Sequence, residues 1–244
     1  LLHDDVVDES YIRRGKDTAN VVWGNQASVL VGDFLFSRAF ELMVEDGSLK
    51  ILKILSEASA TIAEGEVLQL MMANNISTDE DSYMKVIKAK TASLFAAACQ
   101  VAPVLAECRD EEEKALYNYG MNLGIAFQLI DDALDYSAKL RTLGKTIGND
   151  FKEGKLTLPT ILAYRRGTAD EKEFWQKTMG QKNQSQDDLE KALGILQSHN
   201  TLSDTIQRAW HFGAKAKDSL AIFPNNKIHD SLNNIIDFCI DRAY

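Results

Sequence analysis

The stretch GIAFQLIDDALDYSAKLRTLGKTIGNDFKEGKLTLP, residues 124–159, decides the reading of this chain. Its first half is an apolar helical pattern carrying three carboxylates, Asp131, Asp132 and Asp135. Its second half is a loop with Gly144, Gly148, Gly154 and several lysines, after which a regular element resumes at Leu156. In a helix, residues four apart lie one turn on, on the same face, about 6 Å along the axis. Asp131 and Asp135 can therefore aim at one point. Carboxylates that close repel unless something lies between them. Hard divalent cations take oxygen ligands, and magnesium commonly combines one or two carboxylates with substrate phosphates.

The DDxxD pattern occurs once more, at the start of the chain, in LLHDDVVDESYIRRG. There Asp4, Asp5 and Asp8 are followed by a basic turn with Arg13, Arg14 and Lys16. A single acidic cluster reads as a solvated helix face. Two copies, each trailed by a basic segment, read as a pair that holds a metal-bridged diphosphate.

At 244 residues the chain is long enough for one large domain with a sizeable core. Hydrophobic residues make up 45% and charged residues 26%, as in an ordinary globular protein. The formal net charge of −9 excludes a typical nucleic-acid binder, while leaving room for local basic clusters that take a phosphorylated substrate. Cys99, Cys108 and Cys239 are odd in number and lack metal-ligand spacing, so they read as reduced thiols of a cytoplasmic protein. The most apolar run, Ala27 to Val44, is broken by Asp33, Arg38 and Glu41 and reads as a buried helix, not a transmembrane segment. Its apolar residues encircle it, which predicts a partner subunit and hence a homodimer. The chain starts at Leu1 with neither an initiating methionine nor a visible signal peptide, and the expectation is that helices preceding the first motif are missing.

Helical patterns fill the rest, and no strand alternation is found. Residues 1–12 read as the end of a helix that turns at Gly15. Asn25 is the expected N-cap of a helix over about 26–45, followed by one over 48–73 with a kink at Gly65. Ser77 with Glu80 predicts a capping box for a helix over 79–106, with Pro103 as a kink or stop near its end. In the helix over 110–137, Leu116, Tyr119, Leu123, Phe127 and Ile130 share a face. Further helices are expected over 156–166, from Thr168 with Glu171 to about 182, from Ser185 with Asp188 to about 200, over 203–222 and over 227–243. In the last of these, Leu232, Ile235, Ile236, Cys239 and Ile240 line one face. The pattern is a single all-α domain over 1–244.

The two acidic motifs, with FQLIDDALDY and GKTIGNDFKEGKLTLP, resemble those of the trans-prenyltransferases, or isoprenyl diphosphate synthases. The segment TANVVWGNQASVLVGDFLFSRAF is most similar to the long-chain members that make quinone side chains. The resemblance covers nearly the whole chain. It implies an isoprenoid synthase fold, a helical bundle around a central cavity, and a homodimer. It also implies magnesium-dependent condensation of an allylic diphosphate with isopentenyl diphosphate, with about three Mg2+ ions. By the same resemblance Asp4, Asp8 and Asp131 are metal ligands, Asp135 acts through water, and Asp5 and Asp132 orient groups. Arg13 meets the allylic diphosphate and Arg14 the isopentenyl diphosphate. Lys90 holds the leaving diphosphate, and Thr91 brings its carbonyl or hydroxyl near the developing cation. Gln128, one turn before Asp131, stabilises that cation or binds phosphate. Lys145 and Lys155 close over the diphosphate, and the product would be handed to a membrane enzyme. A terpene cyclase is disfavoured because DDALD is intact. A shorter-chain synthase or a non-catalytic partner subunit is the alternative. The histidines, with Asp33, Glu64, Glu66 and Gln69, are read as structural.

Overall fold

A computed structural model describes residues 1–13, 15–137, 147–185 and 187–242. Arg14, Gly144 and Lys145 lie outside the described residues. The chain divides into two compact units, Leu1–Lys53 and Ile54–Tyr244, each taken here by itself.

In the first unit the opening helix α1, Leu2–Val7, is shorter than its pattern suggests. It stops because Glu9 takes a positive φ of 50°. Ile12–Arg13 (β1) and Lys16–Asp17 (β2) then form a minimal antiparallel ladder, Ile12 opposite Asp17 and Arg13 opposite Lys16. This corrects the expectation of no strand, since two-residue strands are too short to display alternation. Gly15 makes the turn at φ +75°, a region that side chains avoid. A one-turn helix α2, Ala19–Trp23, leads to Gly24, which at φ +85° is the cap of α3, Asn25–Glu45. The cap is thus one residue earlier than expected, and Asn25 is the first helical residue.

Helix α3 also departs from the reading as a buried helix. Only Ser28 and Gly32 are buried on it, while Leu30 is 67% and Phe34 66% exposed. Those two small residues are where α1 seats: Ser28 Oγ donates to the Leu2 carbonyl at 2.9 Å, and a Cβ on Gly32 would meet the His3 ring at 2.6 Å. His3 pairs with Asp33 at 2.9 Å, a structural histidine as expected.

The second unit is organised on α7, Asp110–Asp135, to which lead α4 (Leu49–Met72), α5 (Glu80–Ile87) and α6 (Ser93–Leu105). The expected face is present: Tyr119, Leu123 and Ile130 are buried, with Leu116 and Phe127 packed beside them. Four acidic residues in the first turn of α7 favour the positive end of its dipole. Between α5 and α6 the chain makes a wide π-helical turn, Lys88–Ala92, where an uninterrupted α-helix was expected. Asp79, not Ser77, caps α5 by accepting the Ser82 N–H at 2.8 Å. Pro103 sits inside α6, two residues before its end.

Beyond residue 146 come α8 (Asn149–Glu153), α9 (Leu158–Arg166), α10 (Ala169–Trp175), a second π-helical turn (Gln176–Gly180), α11 (Asp188–Ser198), α12 (Thr201–Ser219) and α13 (Lys227–Asp241). Helix α8 was missed because five residues are too few to show a period. The Thr168 and Glu171 capping box forms as expected. Helices α12 and α13 complete the core around α7, but Ile235 of α13 is exposed instead of sharing the buried face of Ile236, Cys239 and Ile240. A second apolar cluster joins Phe151, Phe174, Trp175, Met179 and Leu196. Among the described residues no helix is long and apolar enough to cross a membrane.

Helices α6 and α7 meet through glycine. A Cβ on Gly120 would lie 2.4 Å from the Phe95 carbonyl oxygen, which is backbone and cannot rotate away. Gly120→Ala is therefore expected to destabilise the fold by about 1–3 kcal/mol. Thermal or urea denaturation checks it; an unchanged midpoint would refute the contact.

Candidate active site

In the first unit, the helical spacing of the first motif holds to its last residue. Asp8 is the C-cap of α1 and its N–H donates to the Asp4 carbonyl at 2.8 Å, so Asp4 and Asp8 are one turn apart. Asp5 points elsewhere, into the unit, and is buried. It accepts Arg13 Nε at 2.8 Å and Nη2 at 2.6 Å, while Nη2 also lies 3.5 Å from Asp4. The hydrogen bond to Asp5 is the main reason that the Arg13 guanidinium holds its proton more tightly than usual. The chain reversal after α1 thus returns Arg13 to the motif, where Asp5 fixes its direction.

In the second unit, consecutive residues of α7 divide between solvent and core. Asp131 is exposed, whereas Asp132 is 2% exposed. Burial pushes the Asp132 carboxyl up to about 7 against the pull of the Lys155 charge. Its two oxygens are both engaged: Tyr83 Oη donates to Oδ2 at 2.5 Å and Gln128 Nε2 to Oδ1 at 2.8 Å. Asp135 is also raised to about 7, first by burial and then by the Asp150 charge. It accepts the backbone N–H groups of Asn149 at 3.2 Å and Asp150 at 3.0 Å, and so ties α7 to the start of α8. Gly148 and Gly154 bracket α8 in the left-handed conformation, at φ +71° and +73°. They are required for the turns themselves. Lys155 reaches Asp150 at 3.1 Å. Burial alone would strip its proton, but the Asp150 and Asp132 charges outweigh that and raise its pKa. Lys152 is exposed, as expected.

The expected lysine–threonine pair lies in the π-helical turn, and the two residues are pinned to different helices. Lys90 Nζ meets Glu66 of α4 at 2.6 Å, and Thr91 Oγ1 donates to Gln128 Oε1 of α7 at 2.8 Å. Glycine allows this close approach on both sides. A Cβ on Gly65 would be 2.7 Å from the Lys90 backbone nitrogen, and one on Gly124 would be 2.6 Å from the Ala92 Cα. Helix α4 runs unbroken through Gly65, so this glycine serves contact instead of a kink. Arg242, at the end of α13, lies over the Phe127 ring at 4.6 Å, next to Gln128 in sequence.

The structure therefore brings Lys90, Thr91, Gln128 and Asp132 together in one unit, and links Asp135 to Lys155 through Asp150. In the other unit it groups Asp4, Asp5 and Arg13. Sequence reading overlooked Tyr83 and Asp150 and took Glu66 only as a structural residue. Tyr83 stands seven residues before Lys90, about two turns earlier, and that spacing was the available signal.

A model of the polyprenyl synthetase family matches residues 1–196, and the chain belongs to that family. It is 48% identical over 242 residues to an octaprenyl diphosphate synthase of Escherichia coli (strain K12), covering 99% of this chain and 75% of the relative. Among solved structures, a decaprenyl diphosphate synthase from Rhodobacter capsulatus superposes with a TM-score of 0.95 at 44% identity, over 100% of this chain and 75% of that one. A polyprenyl synthase from Caulobacter crescentus CB15, complexed with calcium and isoprenyl diphosphate, gives 0.94 at 48% identity, over 100% and 74%.

Asp132→Ala would leave the buried Tyr83 hydroxyl and the half-buried Gln128 amide without their acceptor. Its expected cost is about 1–3 kcal/mol for each abandoned group. Urea denaturation should show the lower midpoint, and a stability equal to that of the parent would mean that Asp132 is not what satisfies them.

Proposed function

We propose that this chain is a magnesium-dependent trans-prenyltransferase that condenses an allylic diphosphate with isopentenyl diphosphate, repeatedly, to a product of octaprenyl to decaprenyl length for a quinone side chain. The observation that supports the reading best is the pinning of Thr91 to the second aspartate motif through Gln128 and Asp132, with its neighbour Lys90 held by Glu66. The long-chain synthases among its relatives support the product class.

The donor set fits magnesium: Asp4, Asp8, Asp131 and Asp135 offer hard carboxylate oxygens at helical one-turn spacing. Bound magnesium, about three ions in this reading, neutralises the diphosphate and stabilises it as a leaving group. Arg13, Lys90, Lys145 and Lys155 hold the allylic diphosphate by charge-assisted hydrogen bonds, and Arg14 the isopentenyl diphosphate. The allylic C–O bond breaks, and its electron pair leaves with the diphosphate. The isopentenyl double bond then attacks the allylic cation, the new C–C bond forms, and a proton is lost. The oxygens of Thr91 and Gln128 face the cation and stabilise its charge. Catalysis occurs in the cytoplasm, with the product passed to a membrane enzyme.

The proposed enzyme is a homodimer. The exposed apolar side chains of α3, Leu30, Phe34, Leu35 and Phe36 among them, form a patch that an isologous partner would cover. Light scattering at micromolar concentration should return twice the chain mass; a monomer would contradict the assignment.

The direct test of function is incubation with a short allylic diphosphate, isopentenyl diphosphate and magnesium, followed by mass spectrometry of the products. Asp131→Ala should lower turnover by at least about a thousandfold, because several kcal/mol of leaving-group stabilisation depend on the metal. Retention of wild-type turnover in that variant would sink the assignment.

A further inference from the structure

Four side chains of the second unit form a continuous hydrogen-bonded line. It starts at Tyr83, which is 4% exposed, passes through buried Asp132, and ends at the half-buried Gln128 and Thr91. The links are Tyr83 Oη to Asp132 Oδ2 at 2.5 Å, Gln128 Nε2 to Asp132 Oδ1 at 2.8 Å, and Thr91 Oγ1 to Gln128 Oε1 at 2.8 Å. Each link has a direction, and the directions are not independent. Tyr83 and Gln128 both donate to Asp132, so the Gln128 group facing the carboxyl is the NH2. The Gln128 carbonyl then faces Thr91 and can only accept. The Thr91 hydroxyl must spend its single proton on that carbonyl, which leaves its oxygen with lone pairs alone for any other neighbour.

We propose that Tyr83 is a positioning residue for prenyl transfer: by anchoring Asp132 it sets the polarity of the Gln128–Thr91 pair, so that Thr91 presents an oxygen acceptor and no donor to the substrate. This rests on the function proposed above and adds to it a residue outside both aspartate motifs. The polarity separates two ligands of opposite demand. A hydroxyl with a free proton binds a phosphate oxygen, whereas one that has given its proton away repels phosphate and attracts positive charge. The line therefore reserves Thr91 for the allylic cation and leaves the diphosphate to Lys90 in the same turn. Without the Tyr83 hydroxyl the Asp132 carboxyl loses one of its two anchors and can swing, the Gln128 amide that it holds loosens from Thr91, and Thr91 can turn its proton outward.

The test is Tyr83→Phe in the full-length enzyme, which keeps the ring and removes only the hydroxyl. The expected result is a fall in kcat of about tenfold or more, with the KM for the allylic diphosphate within about twofold, because cation formation is affected and diphosphate binding is not. The same substitution in a Thr91→Val background should cost markedly less, since both act through one hydroxyl. A folded Tyr83→Phe enzyme with wild-type kcat overturns the proposal, as does a loss that adds fully to that of Thr91→Val, or one confined to KM. Should Tyr83→Phe not fold, 3-fluorotyrosine at position 83 keeps the hydroxyl while changing its donor strength. A shifted kcat at constant KM is then expected, and an unchanged kcat overturns the idea. Diphosphate release is measured beside chain elongation. A wild-type enzyme that releases diphosphate without elongating would sink the elongation reading, while the Tyr83→Phe effect on release still decides the role of Tyr83. A wild-type enzyme that does neither overturns both.

Discussion

A carboxylate cannot be buried in a helical core without partners, and Asp132 is such a carboxylate at the midpoint of this fold. Neighbouring residues on a helix are about 100° apart, so a motif that turns Asp131 outward must turn Asp132 in. Left bare, that charge would cost several kcal/mol. The chain meets the cost with Tyr83 from α5 and with Gln128 from its own helix. The first of these contacts ties α5 to α7, and together they orient the Asp132 carboxyl. They also bring the π-helical turn after α5 to where Thr91 closes the line onto Gln128. Asp131, the exposed aspartate of the second motif, faces away from the side on which Asp132 is held.

A second regularity is that cations expected to grip diphosphate are not left alone. Arg13 lies on Asp5, Lys90 on Glu66 and Lys155 on Asp150. In a chain of net charge −9 the acidic residues are numerous enough to do this and still supply both motifs. Each pair fixes the aim of a long side chain before any ligand arrives, which reduces the ordering cost of binding. In the function proposed here, a metal-neutralised diphosphate would compete with these carboxylates for partners, so the metal and the basic residues depend on one another.

Much of this was legible in the residues. The 3.6-residue period marked the buried face of α7 because that face meets one continuous core, and Thr168 with Glu171 marked a helix start because capping is local. What escaped notice depends on contacts between distant segments. The π-helical turn at Lys88–Ala92 has no local sequence mark; Gly65 and Gly124 reveal it only once α4 and α7 are known to press on it. Tyr83 was overlooked because its partner is forty-nine residues away. Helix α3 differs: its composition reports the total apolar surface to be covered, and within one chain Leu30, Phe34, Leu35 and Phe36 stay exposed, on the surface for which a partner subunit was expected.

The two glycines around the π-helical turn show how backbone proximity becomes chemistry. Lys90 and Thr91 are adjacent, yet one pairs with α4 and the other with α7. That requires both helices to approach the backbone of the same turn, closer than any Cβ would permit. In the proposed reaction the consequence is a division of labour between neighbours: the ammonium of Lys90 serves the departing anion and the oxygen of Thr91 the cation left behind. The separation of charge that the reaction must stabilise is thus matched by two consecutive side chains of opposite character. Their spacing is set by glycine contacts in the backbone, and the direction of the second by a phenol buried behind it.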